Sequence, residues 1–301
     1  MDFKQIEAFV NVMKYKSFSK AADASFLTQP TISTHVSSLE KELGVSLIDR
    51  KGKESRPTKA GRAFYNYAIS MINTREKAIA ALGGENAGFS GTIDIRTSSI
   101  PGEYLVPRLM AEFRRQYPQT RFYVEQSDSG QVWDSIVNNE GELGFTGEYR
   151  NNSLGYETLY RDPAVLITPK TGKFLDLREK SDALPLQQFC NEPFVWREGG
   201  SATRSSFEKK INNIHPGSHM DVAVSVNSLE SVKRCVAAGL GVSVLSELVT
   251  AADGERADYL TFHLADVQME REFYLVYNKN VMLSPVVSRF REFARTYFRK
   301  E

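Results

Sequence analysis

Cysteine is nearly absent from this chain of 301 residues, which carries only Cys190 and Cys235. With no CxxC pair, the sequence lacks the common zinc and thiol-redox motifs, and both cysteines read as small apolar residues unless they meet in space as a redox pair. Long apolar runs are missing too, and Met1 is not followed by a charged-then-apolar signal segment. A soluble, cytoplasmic protein with no membrane contact is expected. Catalytic signatures are equally scarce. There is no GxSxG, and His215 and His219, spaced like a zinc pair, have Pro216 and Gly217 between them, which break the helix that such a pair needs. Gly239 and Gly241 read as a helix stop and a turn into a strand, because Val244 occupies the third position of a dinucleotide fingerprint and the order is helix then strand. No catalytic residue, metal ligand or cofactor is expected.

Charge of one sign is also lacking overall, since the formal net charge is +1, but it is unevenly spread. Residues 1–87 hold 13 Lys plus Arg against 9 Asp plus Glu, and the remainder is slightly acidic. A modestly basic head on an acidic body fits contact with nucleic acid by the head alone.

What is present is concentrated in Phe18 to Arg50, FSKAADASFLTQPTISTHVSSLEKELGVSLIDR. Thr28 caps a helix from Gln29 to Leu43, with Pro30 in its first turn, where a missing backbone donor goes unnoticed. At about 100° per residue, Ile32, Val36, Leu39 and Leu43 form one stripe, while Ser33, Thr34, Ser37 and Lys41 occupy the other side. Ile6, Phe9, Val10 and Met13 recur at helical spacing, and Ala21, Ala22 and Leu27 suggest a short second helix. Three helices then close one small core and leave a polar face free to enter a DNA groove.

In these residues the chain resembles the LysR-type transcriptional regulators: an apolar first helix, FSKAA, a TQP start to the reading helix, LEKELG with a following aliphatic pair and Arg50, and then Arg56 to Gly61 as a wing running into a T-x-A-G helix start. The resemblance implies a winged helix-turn-helix at 1–58, a linker and dimerisation helix with its hinge at 59–90, and a two-lobed, periplasmic-binding-protein-like α/β effector domain at 91–301. Lobe I is expected at about 91–162 and 267–301, and lobe II at about 163–266. Double-stranded DNA is the implied partner, with RNA polymerase as a further one. Gln29, Ser33, Thr34 and Ser37 are placed to reach base edges, and Gln29 has the chemistry to pair with adenine. Pro30 and Thr31 offer contact to thymine methyl groups. Lys20, Lys41, Arg50, Lys51, Lys53, Arg56 and Lys59 are the candidates for phosphates, most of them around the wing. Many relatives carry a long side chain where this chain has Thr34, so base readout is expected to be lighter here. His35 lies nearer the apolar stripe and reads as a boundary residue.

From Lys59 to about Leu82 there is no proline, and Phe64, Tyr67, Ala68, Met71, Ile72, Ala78, Ile79 and Leu82 mark one side of a helix about 35 Å long. Such a seam packs either on the chain's own body or on a second copy. Family members pair through this helix and often assemble into tetramers. Gly83, Gly84, Asn86, Gly88, Ser90 and Gly91 form the expected hinge.

Beyond Gly91 strands alternate with helices, the pattern of parallel sheets covered by helices. The crossings between lobes are expected near Arg161 to Ala164 and His263 to Val267. Ligands of open α/β sheets sit at the carboxyl ends of strands, which here carry Thr97, Ser98, Ser99 and Ile100, then Asp128, Ser129 and Gly130, then Thr146 and Gly147, then Gly199, Gly200, Ser201 and Thr203, then Asn227 and Ser228. Ser99, Asp128, Ser201 and Asn227 serve equally well as ordinary helix caps. Arg197 and Arg204 suggest a clamp on a carboxylate, sulfate or phosphate, whereas Asp128 suits the amine of an amino-acid-like metabolite. The loops IPGEYLVPRL and SDSG look like the sulfur- and cysteine-related branch of the family. A ligand-responsive DNA-binding regulator is therefore expected, ahead of a solute-binding protein or a metabolite-binding enzyme on the same α/β body.

Overall fold

The computed structural model describes residues 1–50, 54–82, 89–150, 154–197, 204, 207–209, 211, 220–266 and 270–298. The head opens with α1 (Phe3–Tyr15), started by a capping box between Asp2 and Gln5. Ser17 caps α2 (Phe18–Ala24), and Thr28 caps α3 (Gln29–Leu43), which stops at Gly44 in a left-handed conformation. Phe9, Val12, Ala21, Ile32, Val36 and Leu39 are fully buried against one another. Each large member contributes roughly 1.5–3 kcal/mol by leaving water.

Two expected core residues fall outside this core. The second helix ends at Ala24, so Leu27 lies in the turn and is exposed, and Leu43, at the frayed end of α3, is also exposed. The wing is the short pair β1 (Ile48–Asp49) and β2 (Arg56–Pro57). It packs so closely on α4 (Lys59–Leu82) that a Cβ at Gly61 would collide with the Leu47 carbonyl. That contact is the physical reason for the glycine of the T-x-A-G start.

The stripe along α4 is not one seam but two. Phe64, Ala68, Met71 and Ile72 complete the head's core, while Tyr67, Ile79 and Leu82 remain 67%, 58% and 90% exposed.

The body begins at β3 (Gly91–Thr97), which pairs in parallel with β4 (Thr120–Gln126) and β5 (Leu143–Thr146). A π-turn (Pro101–Leu105) and α5 (Val106–Gln116) separate β3 from β4, and α6 (Ser129–Val137) precedes β5. The largest departure from the sequence expectation is β6 (Leu154–Pro169), a long strand that runs through both lobes. Pro163 and the charges around it mask its strand pattern, yet Pro163 is tolerated because its neighbour there, Glu270, lies at the very start of the partner strand β12 (Glu270–Asn278). These antiparallel strands are the two crossings. The second crossing therefore lies a few residues beyond the expected His263 to Val267.

Lobe II holds α7 (Gly172–Lys180), β7 (Ala183–Leu184), β8 (Phe194–Arg197), β9 (Val222–Val226), the helix Leu229–Ala237, β10 (Ser243–Ser246), the helix Glu247–Asp253 and β11 (Tyr259–Leu264). Strands β8 and β9 form a separate parallel pair, whereas in the large sheet β10 and β11 pair antiparallel with β6 and β11 runs parallel to β7, so that sheet is mixed rather than purely parallel. The closing helix Pro285–Tyr297 returns to lobe I. Lys53, Gly199, Gly200, Ser201, Thr203, the Gly83 to Gly88 hinge, and His215 and His219 lie outside the described residues.

Candidate DNA-reading face and effector cleft

On α3, Gln29, Pro30, Ser33, Thr34, Ser37 and Lys41 line one open groove together with Ser38, which sequence reasoning passed over. Ser38 lies one helical turn from Thr34, and that spacing was the available signal. The hydroxyls on this face are not equivalent. Thr34 Oγ1 donates to the Pro30 carbonyl at 2.9 Å, spending its proton on its own helix and leaving its methyl group for contact. Thr31 is likewise engaged with the Thr28 hydroxyl.

Arg50, expected on phosphate, has a structural task. Its Nη2 donates to Glu40 Oε2 at 3.0 Å and to Ser37 Oγ at 3.2 Å, and its guanidinium lies over the Phe18 ring. Glu40 Oε1 also accepts from the backbone of Leu47 and Ile48. Glu40 and Arg50 thus lock the wing to the reading helix and hold Ser37 with it. Arg56 and Lys41 remain exposed and suited to phosphate contact.

In the body, the carboxyl ends of β3, β5, β8 and β10 meet around a cleft. Thr97, Ser98, Ser99, Ser129 and Thr146 are all buried there. Across it, Arg197 Nη1 from lobe II donates to Ser99 Oγ of lobe I at 2.9 Å. Arg197 Nε is buried and finds no hydrogen-bond partner among the described residues, nor do Trp196 Nε1 and Ser246 Oγ. Ser246, at the end of β10, was not expected, because the order of strands in lobe II could not be read from local pattern.

Beneath Arg197, on the paired crossing strands, Arg271 Nε donates to Asp162 Oδ2 at 2.9 Å, and Asp162 is fully buried. Burial pushes the Arg271 guanidinium down, Asp162 offsets this, and the nearby positive charge of Arg197 lowers it further. Arg271 is thus paired with Asp162, while Arg197, close enough to be felt by Arg271, has no carboxylate partner among the described residues, a local surplus of positive charge.

Several expected ligand contacts have other roles. Ile100 is a core residue packed with Leu105, Val106 and Leu109, so the IPGEYLVPRL segment carries packing information rather than ligand chemistry. Thr97 is sealed off and donates to the Ser98 carbonyl. Asp128 Oδ1 accepts from Gln131 N at 2.8 Å and caps α6. Arg204 is committed to Glu208 and to the Arg197 carbonyl. Asn227 is exposed beside Ser228, which caps the next helix, and Gly147 is half-buried beside Thr146.

Two family models match the chain: "Bacterial regulatory helix-turn-helix protein, lysR family" over residues 3–62 and "LysR substrate binding domain" over residues 86–299. The HTH-type transcriptional activator CmpR of Synechocystis sp. is 30% identical over 294 residues, covering 96% of this chain and 93% of that protein. A full-length OxyR variant from Pseudomonas aeruginosa superposes with a TM-score of 0.78 at 20% identity, covering 99% of this chain and 95% of that one. The effector-binding domain of QuiR in complex with shikimate superposes with a TM-score of 0.63 at 18% identity, covering 70% of this chain and 99% of that one.

Proposed function

Because this chain belongs to the LysR family of bacterial transcriptional regulators, we propose that a small anion held between its lobes against Arg197 controls how its helix-turn-helix head binds DNA. The observation that carries the anion is the cleft floor, where Arg271 is paired with Asp162 but the nearby Arg197 has no carboxylate, and Arg197 Nε has no hydrogen-bond partner among the described residues. A buried donor without a partner is unfavourable by itself and favours a ligand that accepts from it. Ser99 Oγ already meets Arg197, and Ser98, Thr146 and Ser246 add buried hydroxyls at the carboxyl ends of their strands. A free amine finds less support, since Asp128 already serves as a helix cap. The sulfur-related reading narrows to the 127–130 loop, because the other loop is core.

In this reading residues 1–58 read DNA, 59–90 link and pair, and 91–301 sense. Gln29, Ser33, Ser38 and Lys41 carry the groove contacts, and the exposed Tyr67, Ile79 and Leu82 of α4 supply an apolar edge for a second copy. Work on DNA supports a cytoplasmic reading, and its regulator relatives favour binding without turnover.

The experiment is a thermal titration of the full chain with sulfate, phosphate and small carboxylates, followed by footprinting with and without the best stabiliser. An anion that binds the folded state raises the melting temperature with the logarithm of one plus its concentration over its Kd. Arg197→Met should abolish that rise while leaving DNA affinity without ligand in place. Stabilisation that survives in Arg197→Met moves the site elsewhere.

A further inference from the structure

The head and lobe I meet along a seam of unusual composition. The head's apolar cluster ends at Ile72, and the body's clusters begin at Ile93, with no hydrophobic cluster among the described residues spanning both. What crosses the seam is polar. Lys16 Nζ, at the end of α1, lies 3.1 Å from Glu140 Oε1, and Lys14 Nζ lies 3.7 Å from Asp94 Oδ2. Asn139, a non-glycine residue at φ 56°, donates to the Asn66 side chain on α4 and accepts from Asn278. Further along α4, Ser70 accepts from Met282 N at 3.0 Å, and Asn73 donates to the Met282 carbonyl.

The same seam touches one end of the two strands that build the cleft. Asp94 lies in β3, whose carboxyl end leads to Ser98 and Ser99, and Glu142 directly precedes β5, whose last residue is Thr146. Four residues of strand separate seam from cleft, about 13 Å. Strand β5 is buried along its whole length, so displacement at one end reaches the other as a rigid element.

We propose that this seam is a releasable latch: the acidic base of lobe I holds the chain's own DNA-binding head through Lys14 and Lys16, and β3 and β5 connect that hold to the effector cleft. Lys14, Lys16 and Glu140 are each about half exposed, so their ion pairs are weak individually and screened by salt, and the docked and released states lie close in free energy. The docked state fixes the angle of the head; release widens the range of half-site spacings that a pair of heads accepts.

The seam also contains a proton-sensitive group. Burial pushes Glu142 up to about 7; Asp94 and Glu76 push in the same direction, while the Asp94 backbone N–H and Lys14 oppose it. The groups around it are Asp94 and Arg96 on β3, Glu140 on its own loop, Lys14 and Lys16 on α1 and its cap, and Tyr65 and Glu76 on α4. In the proposed latch, release of the head exposes Glu142 to water and moves it back toward the ordinary 4.5 of a free carboxyl. Docking then takes up a proton between those values, so the latch weakens as pH rises from about 4.5 to 7 and changes little above.

The test uses hydrogen-exchange protection factors of residues 10–17 and 139–143 in the full-length chain without ligand, which divide out the intrinsic pH dependence of exchange. This inference rests on the two-lobed sensor reading, but without ligand its failure is separate from failure of the anion site. Lys16→Glu and Glu140→Lys should each lower protection about 5-fold, and the double exchange should restore it to within about twofold. Protection in the natural chain should fall several-fold between pH 5.5 and 7.5, and Glu142→Gln should flatten that slope. Unchanged protection in both single variants, a double variant no better than either single, or the same slope in Glu142→Gln would each overturn the latch.

Discussion

The joint between the lobes and the joint between lobe I and the head are made of different contacts. Between the lobes, Ile95, Leu105 and Phe113 of lobe I share one apolar cluster with Val195, Leu229, Val232 and Val249 of lobe II. A fully buried ion pair, Asp162 with Arg271, sits on the crossing strands. Between lobe I and the head there are lysines, carboxylates and amides, and the apolar clusters stop on either side. Close-packed apolar joints resist gradual deformation, whereas exposed polar contacts exchange with water and salt. A signal from the cleft therefore finds its softest outlet at the head, not within the sensor.

This contrast can be broken most severely inside the head. Val36→Asp buries an unpaired charge in the core of the helix-turn-helix and should cost about 4 kcal/mol or more, enough to unfold the head and abolish DNA binding. Because no apolar cluster joins head to body among the described residues, calorimetry should still show the body's transition near its natural temperature. A body that melts together with the head would contradict the separation of the two cores.

Asp162→Ala attacks the other joint. It leaves Arg271 buried without its carboxylate, and losses of about 3–5 kcal/mol are usual for such a change. The body's melting temperature should drop while the head's own transition holds, and the variant should lose discrimination among anions in the titration. The smallest effect belongs to the seam. Asn139→Gly keeps the left-handed backbone and removes one hydrogen bond to the head, about 1 kcal/mol of docking, and one within lobe I, so protection at residues 10–17 should decline while the body's melting temperature changes by no more than a few degrees.

Much of the head was legible because its physics is local. Thr28, Pro30 and Gly44 mark the bounds of α3, and Ile32, Val36 and Leu39 reveal its buried side by period alone. Leu43 and Leu27 escaped because helix ends and turns lose that period. In the body, β5 was readable as a short apolar run between turn residues, whereas β6 was hidden by Pro163 and its charged neighbours. The cleft was legible only in outline. Ser99 and Arg197 were candidates by their place at strand ends, but so were Ile100, Asp128 and Arg204, and nothing local distinguishes a strand-end residue that faces the cleft from one that packs, caps or pairs elsewhere.

The amino-acid sequence by itself determined the class of this protein and the register of its reading helix, because caps, helical period and motif spacing act within a few residues. Only the tertiary structure decided that Arg50 locks the wing to Glu40, that Arg271 pairs with Asp162 and Arg197 reaches Ser99, and that Lys14 and Lys16 rest on the acidic base of lobe I. Those partners lie from ten to more than a hundred residues apart, and electrostatic and hydrogen-bond energies depend on distance and burial that only the folded chain supplies.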